Sequence, residues 1–259
     1  MPQNKLKTAK ITMKTLKLLL ATSLVVAGAT SAFAQFTQLV DLGTNNIGVR
    51  ATFNPGTRPI VGDDWQANFN GQATGIYIWG SWLNDVVDPN VTFKLSIHRD
   101  NPPGSGSVPW SRPGQEIWSY VGGAAQSTLA ASGLTGKFYD FTTGLSGSSS
   151  DVYKYTFNNF ANPFTAVAGN IYWLVVQAQT PGGQQFAWNS SYQHGNDAAV
   201  FGNNASFGST RVVFNPMTYP AGMDPAMGNI DLAFSIVPEP SSFALLGLGM
   251  AALFMRRKV

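Results

Sequence analysis

Residues 91–98 read VTFKLSIH, and their order sets the fold class. Val91, Phe93, Leu95 and Ile97 alternate with Thr92, Lys94, Ser96 and His98. Successive side chains of a strand point to opposite faces, so a period of two predicts a half-buried β-strand with its polar set turned outward. The same period recurs on either side. DVYKYTF (151–157) groups Tyr153, Tyr155 and Phe157, and DLAFSI (231–236) groups Leu232, Phe234 and Ile236. IYWLVVQA (171–178) is apolar on both faces, as expected of a central strand covered on each side. IGVRATF (47–53), GIYIWGSW (75–82), EIWSY (116–120), KFYDFT (137–142), FAWNSS (186–191) and RVVFN (211–215) are further strand candidates.

Clusters of Gly, Pro, Asn, Asp and Ser separate these runs and read as turns. NPPGSGSVPWSRPGQ (101–115) is too rich in breakers for anything but a loop, and TTGLSGSSSD (142–151) reads as a polar turn or small insertion. No amphipathic helix stands out between the two ends. The expected architecture is all-β, a single β-sandwich of jelly-roll type spanning 35–237.

The two ends differ from this middle. Lys5, Lys7, Lys10, Lys14 and Lys17 form a basic start, and residues 18–29 are apolar. Ala32 and Ala34 then place small residues where a signal peptidase reads, so residues 1–34 read as a signal peptide cleaved before Gln35. At the other end, Pro238-Glu239-Pro240 precedes the apolar run FALLGLGMAALFM (243–255), and Arg256, Arg257 and Lys258 follow at once. Such a run is short against the ~20 residues of a full span. Its basic end is a stop-transfer signal that stays cytoplasmic. With the N-terminus exported by the Sec machinery, the middle is expected outside, held transiently at the inner membrane by a C-terminal apolar helix.

The order of residues 238–259, with Pro-Glu-Pro, apolar helix and basic cluster in succession, resembles the PEP-CTERM sorting signal of Gram-negative bacteria. The resemblance implies that an exosortase, an integral-membrane cysteine protease, recognises Pro238, Glu239 and Pro240. It implies removal of the helix and delivery to the cell surface or extracellular matrix, in hosts that also make exopolysaccharide. A second resemblance covers most of 62–201, through GDDWQANFNGQATGIYIWGSWLNDVVDPNVTFKLSIHRDNPPG and the blocks PGQEIWSY, YWLVVQA, FAWNSS and HGNDAAVFG. These look like an uncharacterised β-rich domain of secreted bacterial proteins, which implies fold and location without chemistry.

Charge and composition bound the function. The sequence pI of about 9.1 is misleading, because eight of the 16 basic residues lie in the two ends. Residues 35–237 hold eight basic against 12 acidic residues, a formal net charge of −4, which argues against a nucleic-acid surface. The chain has no Cys, so disulfides and thiolate metal sites are excluded.

Catalytic signatures are sparse, and no enzyme activity is expected. There is no Gly-x-Ser-x-Gly elbow, and only His98 and His194 could act as an imidazole base. His98 reads as a solvated residue at a strand end, and His194, in the turn SYQHGND, as exposed. Glycoside hydrolysis needs carboxylates about 5–10 Å apart. Glu116 is the one Glu of the middle segment, and the adjacent Asp63 and Asp64 would point to opposite faces of an extended chain. A secreted hydrolase is therefore the weakest reading. Calcium is a candidate cofactor at Asn84, Asp85, Asp88 and Asn90, although turn chemistry alone also accounts for Asp and Asn in such a loop. The alternative function is a carbohydrate-binding module for exopolysaccharide, with Trp110, in its breaker-rich loop, and Trp79 or Trp82 as stacking platforms.

Overall fold

The computed structural model describes residues 35–53, 58–124, 126–130, 134–141, 143–203, 207, 213–221, 223 and 228–239. The signal-peptide site Ala32 and Ala34, residue Pro240, and the cluster Arg256, Arg257 and Lys258 lie outside the described residues. Residues Gln35–Pro238 form one compact unit. Its described elements are strands, joined by turns and two short 3-10 segments.

Two sheets make the sandwich. The first holds β1 (Phe36–Gln38), β2 (Ile47–Arg50), β5 (Gly71–Trp82), β8 (Gln126–Leu129), β9 (Thr135–Asp140), β10 (Gly144–Asn158), β11 (Phe164–Ala166), β13 (Phe186–Asn189) and β16 (Phe234–Pro238). The second runs in the order β15 (Asn215–Pro216), β14 (Val200–Gly202), β4 (Ile60–Gln66), β12 (Ile171–Gln179), β6 (Thr92–Asn101) and β7 (Arg112–Gly122), with β3 (Thr52–Phe53) parallel to the end of β12. The expected all-β sandwich is what the chain forms.

The interior between the sheets is aromatic. Trp65, Trp82, Phe93, Phe157, Phe186 and Phe234 are fully buried. The Phe186 ring lies 5.4 Å from Trp82, 5.1 Å from Phe93 and 5.5 Å from Tyr155, all edge-on, the geometry the ring quadrupole favours.

Strand β12 is buried on both faces, as its composition demands. Tyr172 packs into the interior against Trp65 and Phe164, and Trp173 and Val175 face the other way. There they join Ile60, Val200 and Phe214 in a second core on the outer side of the sheet. The indole N–H of Trp110 donates to the Phe214 carbonyl (2.9 Å) and ties the 102–111 loop to this cover.

That outer layer corrects the reading of VTFKLSIH. Its polar set is not solvated: Lys94, Ser96 and His98 are buried. Each has a partner instead. Lys94 bonds Glu116 at 3.0 Å, and the two nitrogens of His98 lie 3.0 Å from the Gly114 carbonyl and from Ser96 Oγ. A carbonyl can only accept, so Nδ1 carries the proton and Nε2 accepts from Ser96. Burial holds the His98 pKa below its usual value, and the ring is neutral.

Two other segments depart from expectation. IGVRATF is not one strand: β2 belongs to the first sheet and β3 to the second, and the chain crosses between them at Ala51. The Ala51 N–H donates to Phe186 (3.0 Å) while its carbonyl accepts from Ala178 (2.8 Å), one bond to each sheet. In TTGLSGSSSD, residues 144–151 are strand rather than turn, since β10 begins at Gly144 and pairs with β9 through a register shift between Leu145 and Ser149. A bulge of this kind lets a glycine- and serine-rich run bend without leaving the sheet.

The first sheet also closes on itself. Strand β5 pairs with β13, β13 with β2, β2 with β9 in parallel, β9 with β10, and β10 with β5 again. Small residues permit the closure: a Cβ on Gly48 would meet Ser81 Oγ at 2.6 Å, and one on Gly80 would meet the Phe186 ring at 2.3 Å.

Phe186→Ala is expected to lower unfolding stability by about 3–5 kcal/mol, the range for truncating a buried aromatic. Ile117→Ala, at an exposed site, should cost less than about 0.5 kcal/mol. Urea denaturation of both variants checks this, and a loss below about 1 kcal/mol for Phe186→Ala would remove that ring from the centre of the core.

Candidate functional site

The end that carries the sorting residues is built into the sheet. Strand β16 lies between β1 and the long β5, with Ile236 opposite Phe36 and Pro238 opposite Ala73. The Thr74 hydroxyl donates to the Val237 carbonyl at 3.5 Å. Pro238 has no N–H to give to the ladder, and the register slips between Val237 and Pro238, so pairing stops as the motif begins. Glu239 is exposed. Because β1 is antiparallel to β16, both ends of the compact unit leave side by side.

The tryptophans named as sugar platforms are placed differently from one another. Trp82 is 0% exposed, with its indole N–H bonded to the Tyr155 hydroxyl at 2.7 Å. Trp79 is 8% exposed and packs with Val40, Leu134, Val152 and Ala233. Neither offers a ring face to a ligand, because the core takes both; that expectation is corrected. Trp110 is half-buried, held by its bond to Phe214. Trp118 is also half-buried, its N–H given to the Asn162 carbonyl (2.7 Å) and its ring edge-on to Phe160.

In the loop proposed for calcium, Asn84 and Asp85 adopt left-handed backbone (φ 56° and 58°), which Asn and Asp tolerate better than most residues. Asp85 Oδ1 accepts from the Asp151 amide (2.6 Å). Asp88 accepts from the amides of Asn90 and Gly182, both at 2.9 Å. The two carboxylates thus tie the loop, which includes Asn90, to different neighbouring segments. Among the described residues no group of three or more His, Asp or Glu is placed to hold a metal ion.

The most concentrated polar chemistry lies around β4, a strand that its sequence pattern did not reveal. Asp63 and Asp64 sit in the middle of β4, fully buried, and point to opposite faces as their adjacency requires. Asp63 Oδ2 accepts from the Leu232 amide (2.6 Å) and Gln38 Nε2 (3.2 Å). Asp64 accepts from the Asp197 amide and Asn196 Nδ2, each at 3.3 Å. Buried Asp231 accepts from the Gly195 amide (2.6 Å) and lies 3.3 Å from His194 Nδ1. Asp64 and Asp231 pin the segment 194–197, which borders an open cavity of about 250 Å³. His194 is 46% exposed on its side chain, as its turn predicts.

Burial is the main force on the protons here. It raises Asp64 to about 7, raises Asp63 well above the ordinary carboxylate range with help from the charges of Asp231 and Asp64, and raises Asp231. The sequence signal for this site was present in GDDW, two acids bounded by Ile60, Val61 and Trp65. It reads as two unpaired acids until the distant donors are known.

Residues 34–237 match the model of a family described as Domain of unknown function (DUF7901), and residues 237–258 match the PEP-CTERM protein-sorting motif. No curated protein and no solved structure matches the chain.

The raised carboxylates set a pH dependence with a definite sign. A group at about 7 in the fold and near 3.8 unfolded favours the folded state when protonated. Its contribution is present below pH 4 and is lost as pH rises toward 7, by up to about 1.4 kcal/mol per pH unit. Asp64→Asn cannot ionise, so its stability relative to the natural chain should improve from pH 4 to about pH 7 and level off above it in urea titrations. Parallel curves across that range would show that Asp64 ionises as freely in the fold as outside it.

Proposed function

This chain belongs to the family described as Domain of unknown function (DUF7901), and from that premise we propose that it serves as a non-enzymatic component of the cell surface or extracellular matrix. Its PEP-CTERM motif marks an exported protein of a Gram-negative bacterium, sorted by exosortase. The finer steps are part of the proposal: Sec export, cleavage before Gln35, brief retention at the inner membrane by residues 243–255, and release of the unit Gln35–Pro238 near Pro240. Among the described residues no helix is long and apolar enough to cross a membrane, and the apolar run 243–255 lies outside them.

One observation carries the reading: the compact unit ends at Pro238, the first residue of the sorting tripeptide. Domain and address abut without a linker, so removal of the address leaves the unit whole. A structural role is favoured by the use to which these acids are put. Asp63, Asp64, Asp85, Asp88 and Asp231 all accept from backbone amides, which holds loops in place. His98, one of two candidate bases, is sealed and neutral.

Intact mass spectrometry of the protein recovered from its host tests the processing. The expected mass starts at Gln35 and ends near Pro240, with or without an added anchor. A mass that still contains Phe243–Val259 would mean a retained membrane tail, and sustained turnover of a glycan or ester by the purified protein would overturn the non-enzymatic role.

A further inference from the structure

The closed circuit of β5, β13, β2, β9 and β10 has an open mouth. A cavity of about 220 Å³ sits there, with Leu83, Phe138 and Leu145 as apolar walls and Arg50, Asp140 and Gln185 as polar ones. Arg50 and Asp140 are both buried and bonded to each other as an ion pair. None of these residues belongs to the sorting end or to the segment pinned by Asp64 and Asp231.

The wall beneath the mouth is polar and unsatisfied. Ser81 and Asn189 face the inside of the circuit: a Cβ on Gly48, two residues before Arg50 on the same face of β2, would lie 2.6 Å from Ser81 Oγ and 3.6 Å from Asn189 Nδ2. Both are fully buried, and Ser81 Oγ and Asn189 Oδ1 have no hydrogen-bond partner. Asn189 spends its amide on Asn46 Oδ1 at 3.0 Å. An unmet buried polar atom costs about 1–3 kcal/mol, and native proteins meet that demand with an ordered water or a ligand's polar group.

We propose that this mouth binds one ring of a neutral sugar at the end of a glycan chain. The ion pair makes the floor charge-neutral: an anion would meet Asp140, and a cation would meet Arg50. A hydroxyl both donates and accepts, and vicinal hydroxyls match adjacent guanidinium and carboxylate groups. The apolar walls suit the C–H face of a pyranose. The volume lies below the roughly 300–1,000 Å³ of sites for drug-sized ligands, which restricts entry to a single ring. The site gives the surface protein proposed above a ligand class, and rests on that reading only for where the ligand is met.

NMR titration of the processed protein with glucose, galactose and mannose tests it, with glucuronate and glucosamine as charged counterparts. At least one neutral sugar should shift the amides of Phe138, Gly144 and Leu145 saturably, with a dissociation constant near 1 mM. Leu145→Trp, which fills the mouth from its half-buried rim, should weaken binding at least about tenfold while circular dichroism and the urea midpoint stay unchanged. Gln185→Ala serves the same purpose if the larger ring disturbs the fold. Absence of saturable shifts at these amides, equal binding by both variants, a preference for the charged sugars, or shifts centred on Trp110 would each overturn the assignment. A retained tail in the mass measurement would remove the surface reading and leave these shifts untouched, whereas absent shifts would leave the mass result standing.

Discussion

The contact of the Phe186 ring with the bare backbone of Gly80 is the constraint on which the rest of the fold depends. No side chain fits at position 80, since a Cβ there would lie 2.3 Å from the ring and 2.8 Å from the Ala187 carbonyl. This close approach seats β13 on one edge of β5 while β10 occupies the other, and so closes the five-strand circuit. The same ring forms the middle of the aromatic interior. Its backbone exchanges two hydrogen bonds with the Thr52 hydroxyl and accepts a third from Ala51, where the chain passes from one sheet to the other. Core, closure and crossover therefore converge on one residue, and a chain without cysteine has no covalent substitute for it.

Acidic side chains take over part of the work of cross-links. Asp88 ties the 83–91 turn to Gly182, Asp85 ties it to β10, and Asp64 and Asp231 hold the 194–197 segment. A hydrogen bond to a charged group contributes about 1.5–3 kcal/mol, comparable to the lower range of a disulfide. Unlike a disulfide, it is conditional on the acid's proton. On β4 burial raises both Asp63 and Asp64, so the ties of that strand are ones whose strength varies with pH.

Period-two alternation made the fold class legible because it reports which residues share a face. It identified β6, β10 and β16, while the unbroken apolar run of IYWLVVQA marked β12 and its double-sided burial. It could not report whether a further layer covers the face that looks polar. Lys94, Ser96 and His98 seem outward-facing until Trp173, Val175 and Phe214 are seen to form a second core beside them. Strand β4 was missed for a related reason. IVGDDWQ holds two acids that read as unpaired, and only Leu232, 169 positions away, and Asp197, 133 positions away, make Asp63 and Asp64 tolerable inside a strand. The tryptophan count was likewise silent on placement. Trp82 differs from half-buried Trp118 in its surroundings, and nothing in its own neighbours in sequence says so.

The tail was legible for the opposite reason: its meaning lies in linear order. What the fold adds is where folding stops. Proline cannot donate to a ladder, so Pro238 ends the pairing of β16 with β5 and begins the sorting motif in the same step. Four residues, Glu239–Ser242, then separate the last strand residue from Phe243. Fully extended, they span at most about 14 Å. The Pro-Glu-Pro motif begins at the end of β16, next to β1, where Gln35 also leaves the sheet. The domain's own strand end sets how far the motif can be drawn out, and fraying of β16 beyond Val237 would have to break its bonds to β5 first. The first residue of the motif is thus also the last residue of the central sheet.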